Sequence, residues 1–250
     1  DVGQGSPILF VHGFPLDHSM WREQVADLSR DHRCIAPDLR GFGQSTVTEG
    51  KVTMEQFADD LAALLDELKI TEPVVLCGLS MGGYIAWQFV RRHSDRLRGL
   101  ILCDTRAVPD STEAAANRLK LADDVVRTGP ELVANTMLPK LFSDRESNRR
   151  SQLKDELRRV ILATDSRGIA AASRGMAERA DARPWLAAMT CPALVMVGEQ
   201  DVISPPPEMS EIATALPHAT FRVIPDSGHL APLETPQPVN EAIRVFLAEK

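Results

Sequence analysis

A serine between two glycines is the residue best placed in this sequence to act as a nucleophile. Ser80 lies in Gly78-Leu79-Ser80-Met81-Gly82, which directly follows an apolar run and precedes a helical pattern. A sharp strand-to-helix turn strains and crowds the backbone, and glycines two residues on either side of the serine leave room for it. A serine that only caps the following helix is the alternative. The succession of strand, turn and helix favours a nucleophile exposed above the edge of a sheet.

Ser80 needs a partner, because a serine hydroxyl is a poor nucleophile at neutral pH without a neighbouring base that a third group orients. His229 follows the last predicted strand, and Asp201 follows the strand before it. Both residues therefore reach the edge of the sheet at which Ser80 emerges. The sequence predicts a catalytic triad with the chain order Ser80, Asp201, His229.

These placements depend on a parallel sheet, which the pattern of the chain indicates. Short apolar runs alternate with longer helical patterns, and most runs are continuously apolar, as in strands buried on both faces. The clearest helix covers residues 53–69, where Thr53 and Gln56 stand at capping-box spacing before an apolar stripe. Strands are predicted at residues 8–11, 33–36, 73–77, 97–103, 193–197 and 220–224. Further helices are predicted at residues 20–29, 81–92, 208–215 and 238–248.

The alternation stops in residues 107–183, a stretch rich in Ala, Arg, Glu and Leu. We interpret it as a helical insertion, with breaks at Gly129-Pro130 and at Pro139. The predicted fold class is therefore α/β, a mostly parallel central sheet with helices on both faces, in which residues 1–106 and 184–250 form the core. Four helices are predicted in the insertion, at residues 111–127, 130–138, 146–163 and 168–180.

Composition excludes several classes of partner. The 250 residues carry 28 Lys plus Arg against 35 Asp plus Glu, a net charge of −7, and no dense basic cluster. This argues against nucleic acid or an anionic membrane surface as partner. The apolar runs are far shorter than the roughly 20 residues that cross a bilayer. Small molecules are the expected ligands.

The four cysteines favour a reducing compartment. They lie far apart, with no Cys-x-x-Cys pair and no Cys/His ligand spacing, so no metal site is expected. Cys34, Cys77 and Cys103 stand in apolar, strand-like runs, where we expect buried free thiols. A cytoplasmic location matches this pattern.

Three segments together resemble the α/β-hydrolase fold family. His12-Gly13-Phe14 is similar to the oxyanion loop of that family, residues 38–45 (Asp-Leu-Arg-Gly-Phe-Gly-Gln-Ser) are similar to its Asp-x-x-Gly-x-Gly-x-Ser loop, and residues 78–83 are similar to its nucleophile elbow. The resemblance covers most of the chain. It implies the α/β-hydrolase fold, with residues 107–183 as a mobile helical cap over the substrate.

The resemblance also implies a role for each site residue. Ser80 would be the nucleophile, Asp201 the acid and His229 the base. The backbone N–H groups of Phe14 and Met81 would form the oxyanion hole, which stabilises the charge of a tetrahedral intermediate. No cofactor is implied.

Within the family, residues 14–21 look most similar to small lactonases and esterases, including the enol-lactonase and acyl-homoserine-lactonase branches. The expected activity is hydrolysis of a carboxylic ester or lactone. Dehalogenase and epoxide hydrolase relatives carry a carboxylate where Ser80 stands, which argues against those reactions. The alternatives that stay open are a cofactor-free perhydrolase or haloperoxidase, a C–C bond hydrolase, and a receptor that keeps the fold without turnover.

Three other residues compete for roles in the site. Asp104 ends a predicted strand from which some family members take the acid. His12 is a second histidine beside the site, for which we expect a structural role in the oxyanion loop. Asp38 is expected to shape its glycine loop by local hydrogen bonds.

The amino terminus departs from the family pattern. The family usually begins with an antiparallel pair of strands, whereas here only seven residues precede the first predicted strand. We expect that the sequence is a truncated form of the family's usual core.

Overall fold

A computed structural model describes residues 1–144 and 147–249. Its centre is a six-stranded sheet in the order β2-β1-β3-β4-β5-β6, in which every strand pairs in parallel with its neighbour. The strands are β1 (Pro7–Val11), β2 (Arg33–Ile35), β3 (Val74–Leu79), β4 (Leu97–Cys103), β5 (Ala193–Gly198) and β6 (Ala219–Ile224). This confirms the predicted fold class and all six predicted strands.

The register of the sheet brings the carboxyl ends of the strands to one edge. Val11 of β1 stands opposite Gly78 of β3, and Leu79 of β3 stands opposite Cys103 of β4. At the other side of the sheet, Gly198 of β5 stands opposite Ile224 of β6. The loops that leave β1, β3, β4, β5 and β6 therefore start level with one another. The predicted site residues lie on these loops or, for Met81, at the start of the helix that follows β3.

Helices cover both faces of the sheet, since every residue of β1, β3 and β5 is buried. The helix α2 (Met54–Glu67) begins as predicted at Thr53, whose side chain accepts a hydrogen bond from the backbone N–H of Gln56. It packs against α3 (Met81–Arg92), and α1 (Arg22–Leu28) packs against the carboxy-terminal helix. The remaining core helices are α8 (Arg183–Leu186), α9 (Pro206–Ala215), α10 (Ala231–Glu234) and α11 (Pro236–Ala248).

The short helices α8 and α10 were not predicted. Each spans only four residues and has a proline at its start, so no apolar periodicity could reveal it. In the described part of the chain, no helix combines the length and the apolar character that a membrane span requires. All four cysteines are free, and Cys34, Cys77 and Cys103 are buried as predicted.

The described residues of the insertion form four helices, as predicted: α4 (Thr112–Thr128), α5 (Glu131–Leu141), α6 (Asn148–Ala163) and α7 (Ser166–Ala177). The predicted start of the third helix at Glu146 lies outside the described residues. Pro139 does not end α5 as predicted, because the helix continues to Leu141 with the proline inside its last turn. The buried side chains of Leu141 and Phe142 offset the hydrogen bond that a proline removes.

The insertion meets the core through backbone as well as side chains. The N–H of Val52 donates to the carbonyl oxygen of Ala171 in α7 at 3.1 Å. Near this bond, Gly41 touches Gly168 so closely that a Cβ on Gly168 would lie 2.0 Å from the carbonyl oxygen of Gly41. Neither position tolerates a side chain, because φ of Gly41 is also +87°. The helix α7 therefore packs directly against the loop that follows β2.

Candidate active site

Ser80 occupies a strained turn between β3 and α3. Its φ is 53° and its ψ is −112°, a conformation that costs energy for any residue with a side chain. A Cβ on Gly78 would lie 2.5 Å from the carbonyl oxygen of Gly82, and a Cβ on Gly82 would lie 2.2 Å from that of Val11. Both glycines of the sequence pattern are therefore required by close backbone contacts. The turn leaves Ser80 partly exposed at the edge of the sheet.

Asp201 and His229 are brought into direct contact. His229 Nδ1 lies 2.9 Å from Asp201 Oδ2, and each residue is only 3% exposed. The other carboxylate oxygen, Oδ1, accepts the backbone N–H groups of Ile203 at 2.8 Å and Ser204 at 3.1 Å. Ser204 Oγ donates to Oδ2 at 2.5 Å. Because an ionised carboxylate only accepts, His229 Nδ1 is the donor to Asp201, and His229 Nε2 is left as the basic nitrogen.

The pKa of Asp201 lies below its usual value. Burial is the largest single effect and raises this pKa. The charge of His229, the hydrogen bond from His229 and the donors of Ser204 and Ile203 together outweigh burial and lower the pKa. The carboxylate is therefore ionised at neutral pH. An ionised Asp201 is suited to hold an imidazole in one tautomer and to stabilise the imidazolium.

Asp104, the competing acid, is fully buried and lies in a different environment. Its Oδ1 accepts the backbone N–H of Gly198 at 2.7 Å, while its buried Oδ2 has no hydrogen-bond partner among the described residues. Burial raises its pKa well above the usual value, and the negative charge of Asp201 adds to the shift. Within the described residues no hydrogen bond links Asp104 to His229. The geometry favours Asp201 over Asp104 as the partner of the histidine.

The loop after β1 lies against the Ser80 turn. A Cβ on Gly13 would be 3.4 Å from Ser80 Cβ and 3.3 Å from the carbonyl oxygen of Leu79, so glycine makes this close approach easier. Among the described residues, no acceptor takes the backbone N–H of Phe14 or of Met81. Met81 is the first residue of α3, where the N–H groups of a helix are free and the helix dipole favours negative charge.

His12 and Asp38 hold the loops in place, as expected. His12 is fully buried, its Nε2 accepts the backbone N–H of Leu39 at 3.0 Å, and its Nδ1 lies 3.1 Å from the carbonyl oxygen of Gly13. Burial lowers the pKa of His12 to about 4, so the ring is neutral at pH 7. Asp38 accepts the backbone N–H groups of His18 at 2.9 Å and Gln44 at 2.8 Å.

Asp17, His18 and Asp38 form a cluster whose ligand atoms lie within 4.8 Å of one another. Three of their carboxylate oxygens accept hydrogen bonds, because Asp38 accepts the two N–H groups described above and Asp17 Oδ1 accepts the N–H of Ser19 at 2.9 Å. His18 Nδ1 lies 2.7 Å from Asp38 Oδ1. These bonds account for the cluster as a support of its loops.

Two contacts of the site were missed in the sequence. Ser204 Oγ lies within 3.4 Å of His229 Nδ1 as well as bonding to Asp201. Thr105 Oγ1 donates to the carbonyl oxygen of Ser80 at 2.7 Å and fixes the strained turn from the neighbouring strand. The spacing Asp-x-x-Ser after a strand was a signal for Ser204. An Asp side chain often accepts backbone N–H groups two or three residues further along the chain, which brings a serine at that position next to the carboxylate. Thr105 follows Asp104 and had no comparable signal.

One hydrogen bond of the predicted triad, between Ser80 and His229, is not formed among the described residues. Within the described residues, no hydrogen bond joins Ser80 Oγ to His229, although both stand at the carboxyl edge of the sheet. Bonds of this kind are often long in an unliganded site and shorten when substrate is bound. The arrangement places a partly exposed serine, an oriented imidazole and backbone N–H donors at the carboxyl edge of the sheet. Acyl transfer requires groups of these kinds.

Comparison with known proteins assigns the family. A family model described as the alpha/beta hydrolase fold matches residues 6–236. The chain belongs to the α/β-hydrolase fold family. This confirms the resemblance found in the sequence, and relatives of the chain include enol-lactonases.

Two solved structures of this family are similar over almost the whole chain. A thermophilic esterase from Thermogutta terrifontis, solved with malate bound, is 50% identical with a TM-score of 0.97, over 99% of this chain and 91% of the esterase chain. The enol-lactonase from Burkholderia xenovorans LB400 is 32% identical with a TM-score of 0.90, over 98% and 92% of the two chains. A shorter match, to the non-heme chloroperoxidase CPO-A1 of Kitasatospora aureofaciens, is 41% identical over 41% of this chain and 38% of that protein.

Proposed function

We propose that the protein is a serine hydrolase that cleaves a carboxylic ester or lactone through an acyl-enzyme intermediate. The observation that carries the proposal is the buried pair of Asp201 and His229 at the sheet edge where the strained turn exposes Ser80. A buried carboxylate that orients one imidazole nitrogen leaves the other as a base. Hydrolase activity agrees with the esterase and enol-lactonase relatives.

In the first step, His229 Nε2 accepts the proton of Ser80 Oγ as the oxygen attacks the carbonyl carbon of the substrate. Asp201 holds the imidazole and stabilises its positive charge without taking the proton. The backbone N–H groups of Phe14 and Met81 donate to the oxyanion that develops. The unpartnered state of these two donors supports this role, since buried N–H groups are rarely left without an acceptor.

To complete acylation, His229 gives its proton to the leaving alkoxide. In the second half of the reaction, His229 activates a water molecule, which hydrolyses the acyl-enzyme. A lactone differs from an ester because its leaving alkoxide stays tethered to the acyl group. The site must then hold the tethered hydroxyl away from the acyl carbon while water enters. The helical insertion of residues 107–183, proposed as the cap, would control that space.

The test is steady-state hydrolysis of a short-chain chromogenic ester and of a panel of lactones, including acyl-homoserine lactones, by wild type and by Ser80→Ala. We expect turnover that Ser80→Ala reduces by a factor on the order of 10⁵ or more with little change in stability. A kcat/KM for a lactone far above that for the ester would identify a lactonase, and the reverse ranking would identify a carboxylesterase. Turnover that survives Ser80→Ala would overturn the proposal.

A second candidate is perhydrolysis, which the chloroperoxidase match favours. The same acyl-enzyme would be attacked by hydrogen peroxide instead of water, giving a peracid that oxidises halide without a cofactor. Halogenation of a reporter in the presence of acetate, peroxide and bromide measures this activity. Perhydrolysis replaces hydrolysis as the proposed function if its rate exceeds every ester and lactone rate and falls with Ser80→Ala.

A receptor without turnover is the remaining alternative. Covalent labelling of Ser80 by a fluorophosphonate with no turnover in any assay would indicate a receptor.

A further inference from the structure

A buried glutamate lies behind the His229 loop, and its hydrogen bonds to described residues go to groups outside the proposed triad. Glu234 ends the short helix α10, five residues after His229, and its side chain is fully shielded from solvent. Its Oε1 accepts the backbone N–H of Gly228 at 2.7 Å. Gly228 directly precedes His229, so this bond fixes the backbone from which the imidazole projects.

The other oxygen of Glu234 binds the insertion. Oε2 accepts the backbone N–H of Ser143 at 3.1 Å, the hydroxyl of Ser143 at 2.9 Å and Arg150 Nε at 3.0 Å. Ser143 lies just after α5, and Arg150 lies in the first turn of α6. One carboxylate therefore holds the His229 loop with one oxygen and the insertion with the other.

The segment of residues 142–144, which we call the connector, contacts the two loops that carry Asp201 and His229. A Cβ on Gly228 would lie 2.7 Å from the carbonyl carbon of Phe142 and from the nitrogen of Ser143. The N–H of Asp144 donates to Gln200 Oε1 at 3.1 Å, and Gln200 is the residue before Asp201. Glycine at 228 is needed because the connector passes so close.

Arg150 reaches the same loop by a second route. Its side chain is 6% exposed, it pairs with Glu234, and its Nη2 donates to the carbonyl oxygen of Asp226. A buried ion pair contributes little net stability compared with an apolar pair of the same size, whereas loss of one partner leaves an uncompensated buried charge. Stability alone is therefore a weak reason for a buried glutamate and arginine at this place. Their common feature is that both bind the loop of His229.

We propose that Glu234 is a positioning residue that couples the connector to His229. By bonding Gly228 and the insertion at once, its carboxylate makes the position of the imidazole depend on the seating of the connector. A misplacement of about 1 Å in a catalytic group can reduce a rate about 100-fold, so a small shift of the connector would change the chemical step itself. The inference rests on the proposed function of His229 as the base.

The main test is Glu234→Gln, which keeps an oxygen acceptor for the N–H of Gly228 but removes the charge that faces Arg150. We expect kcat for a short-chain ester to fall about tenfold or more, with KM changed less than about threefold, because the imidazole moves while the acyl site is kept. The rate at which a small fluorophosphonate labels Ser80 should fall by the same factor. A wild-type kcat in Glu234→Gln would overturn the inference.

Glu156→Gln is the matched control. Glu156 lies in the same helix as Arg150 and also joins the insertion to the core, through an ion pair with Arg22 at 2.8 Å. That pair is exposed and does not bind the His229 loop. We expect an unchanged kcat and labelling rate, and a loss equal to that of Glu234→Gln would show that any broken link between insertion and core is enough.

Two more variants separate positioning from folding. The double variant Glu234→Gln, Arg150→Met removes both buried charges, so we expect its unfolding temperature to recover towards wild type while kcat stays low. Recovery of kcat together with stability would assign Glu234 a purely structural role. Ser143→Ala keeps the ion pair and removes only the hydroxyl, which donates to Glu234 and also lies 3.4 Å from the carbonyl oxygen of Asp226. We expect a two- to fivefold loss of kcat at full stability, and this variant serves if the glutamine variant fails to fold.

The labelling experiment also distinguishes the two proposals. If wild-type Ser80 is not labelled by the fluorophosphonate, the proposed function fails. If wild type is labelled and Glu234→Gln is labelled at the same rate with the same kcat, only the positioning role of Glu234 fails.

Discussion

The ends of β4 and β5 carry two buried carboxyl groups that the fold treats in opposite ways. Asp104 follows β4 and Asp201 follows β5, and the two strands are neighbours in the sheet. The pKa of Asp104 is raised well above its usual value, mainly by burial, whereas the pKa of Asp201 is lowered. Both positions are equally suited to a catalytic acid by their place at the sheet edge.

The difference lies in what each carboxylate meets. Asp201 accepts two backbone N–H groups, a serine hydroxyl and the imidazole of His229. Asp104 accepts a single N–H, from Gly198, and leaves its second oxygen without a partner in the described part of the chain. Burial at both strand ends therefore accompanies a lowered pKa for Asp201 and a raised pKa for Asp104. Hydrogen-bond donors, rather than position in the sheet, decide which carboxyl can support a base.

The largest test of this comparison is Asp201→Asn. An amide at this position can donate to the imidazole and favour the wrong tautomer, so we expect kcat to fall by a factor on the order of 10⁴. The measurement is kcat on the substrate that wild type hydrolyses best, with Asp104→Asn beside it. A greater loss for Asp104→Asn would reverse the assignment of the acid.

Ser204→Ala tests the donors that keep Asp201 ionised. The hydroxyl of Ser204 donates to Asp201 Oδ2 at 2.5 Å, and hydrogen bonds to charged groups contribute about 1.5–3 kcal/mol. We expect kcat/KM to fall about 10- to 100-fold. We also expect the free energy of unfolding to begin its acid decrease at a higher pH, since Asp201 loses a bond that lowers its pKa. An acid unfolding profile identical to wild type would show that the hydroxyl does not tune the carboxylate.

Acid titration of the fold tests the direction of the Asp201 pKa. A carboxyl whose pKa is lower in the folded protein stabilises the fold above its unfolded pKa, near 3.8, and loses that contribution as the pH falls through the folded value. We expect the free energy of unfolding to decrease below pH about 4 in wild type. The decrease should be smaller in Asp201→Asn, as measured by urea unfolding from pH 2 to 7.

Asp104→Asn should have the smallest effect on activity and an opposite effect on stability. A raised pKa means that the unfolded carboxyl releases its proton first, so Asp104 destabilises the fold increasingly as the pH rises above about 4. An amide, which carries no charge, removes that cost. We expect kcat within about threefold of wild type and a higher unfolding temperature at pH 7, with the gain fading at pH 3. A gain of the same size at both pH values would contradict the raised pKa of Asp104.

The sequence was sufficient to predict the sheet and the edge of the sheet at which the candidate site lies, because both depend on local patterns. The helix after Ser80 spans Met81–Arg92 as predicted. The strand before Asp201 was predicted from a continuous apolar run, and the strand before His229 from a shorter run that contains Arg222. The glycines around Ser80 were informative because their reason is steric and local.

The contacts of Glu234 could not be predicted in the same way. It bonds Ser143, 91 residues away in the chain, and no periodicity connects the two positions. Likewise, the end of α5 was misjudged at Pro139 because burial of the residues beyond it depends on packing that only the folded chain shows. Long-range polar contacts of this kind depend on the placement of the insertion over the core, which carries no local signal.

The contact of Gly41 with Gly168 has a consequence for protein engineering. Recombination between members of one fold family often exchanges an insertion while keeping the core. Here the seam contains two backbones in direct contact, and a Cβ on either glycine would meet the backbone of the other within 3 Å. A chimaera that inherits one of these glycines without the other would force the two parts away from each other along the whole of α7. The pair should therefore be transplanted as a single unit.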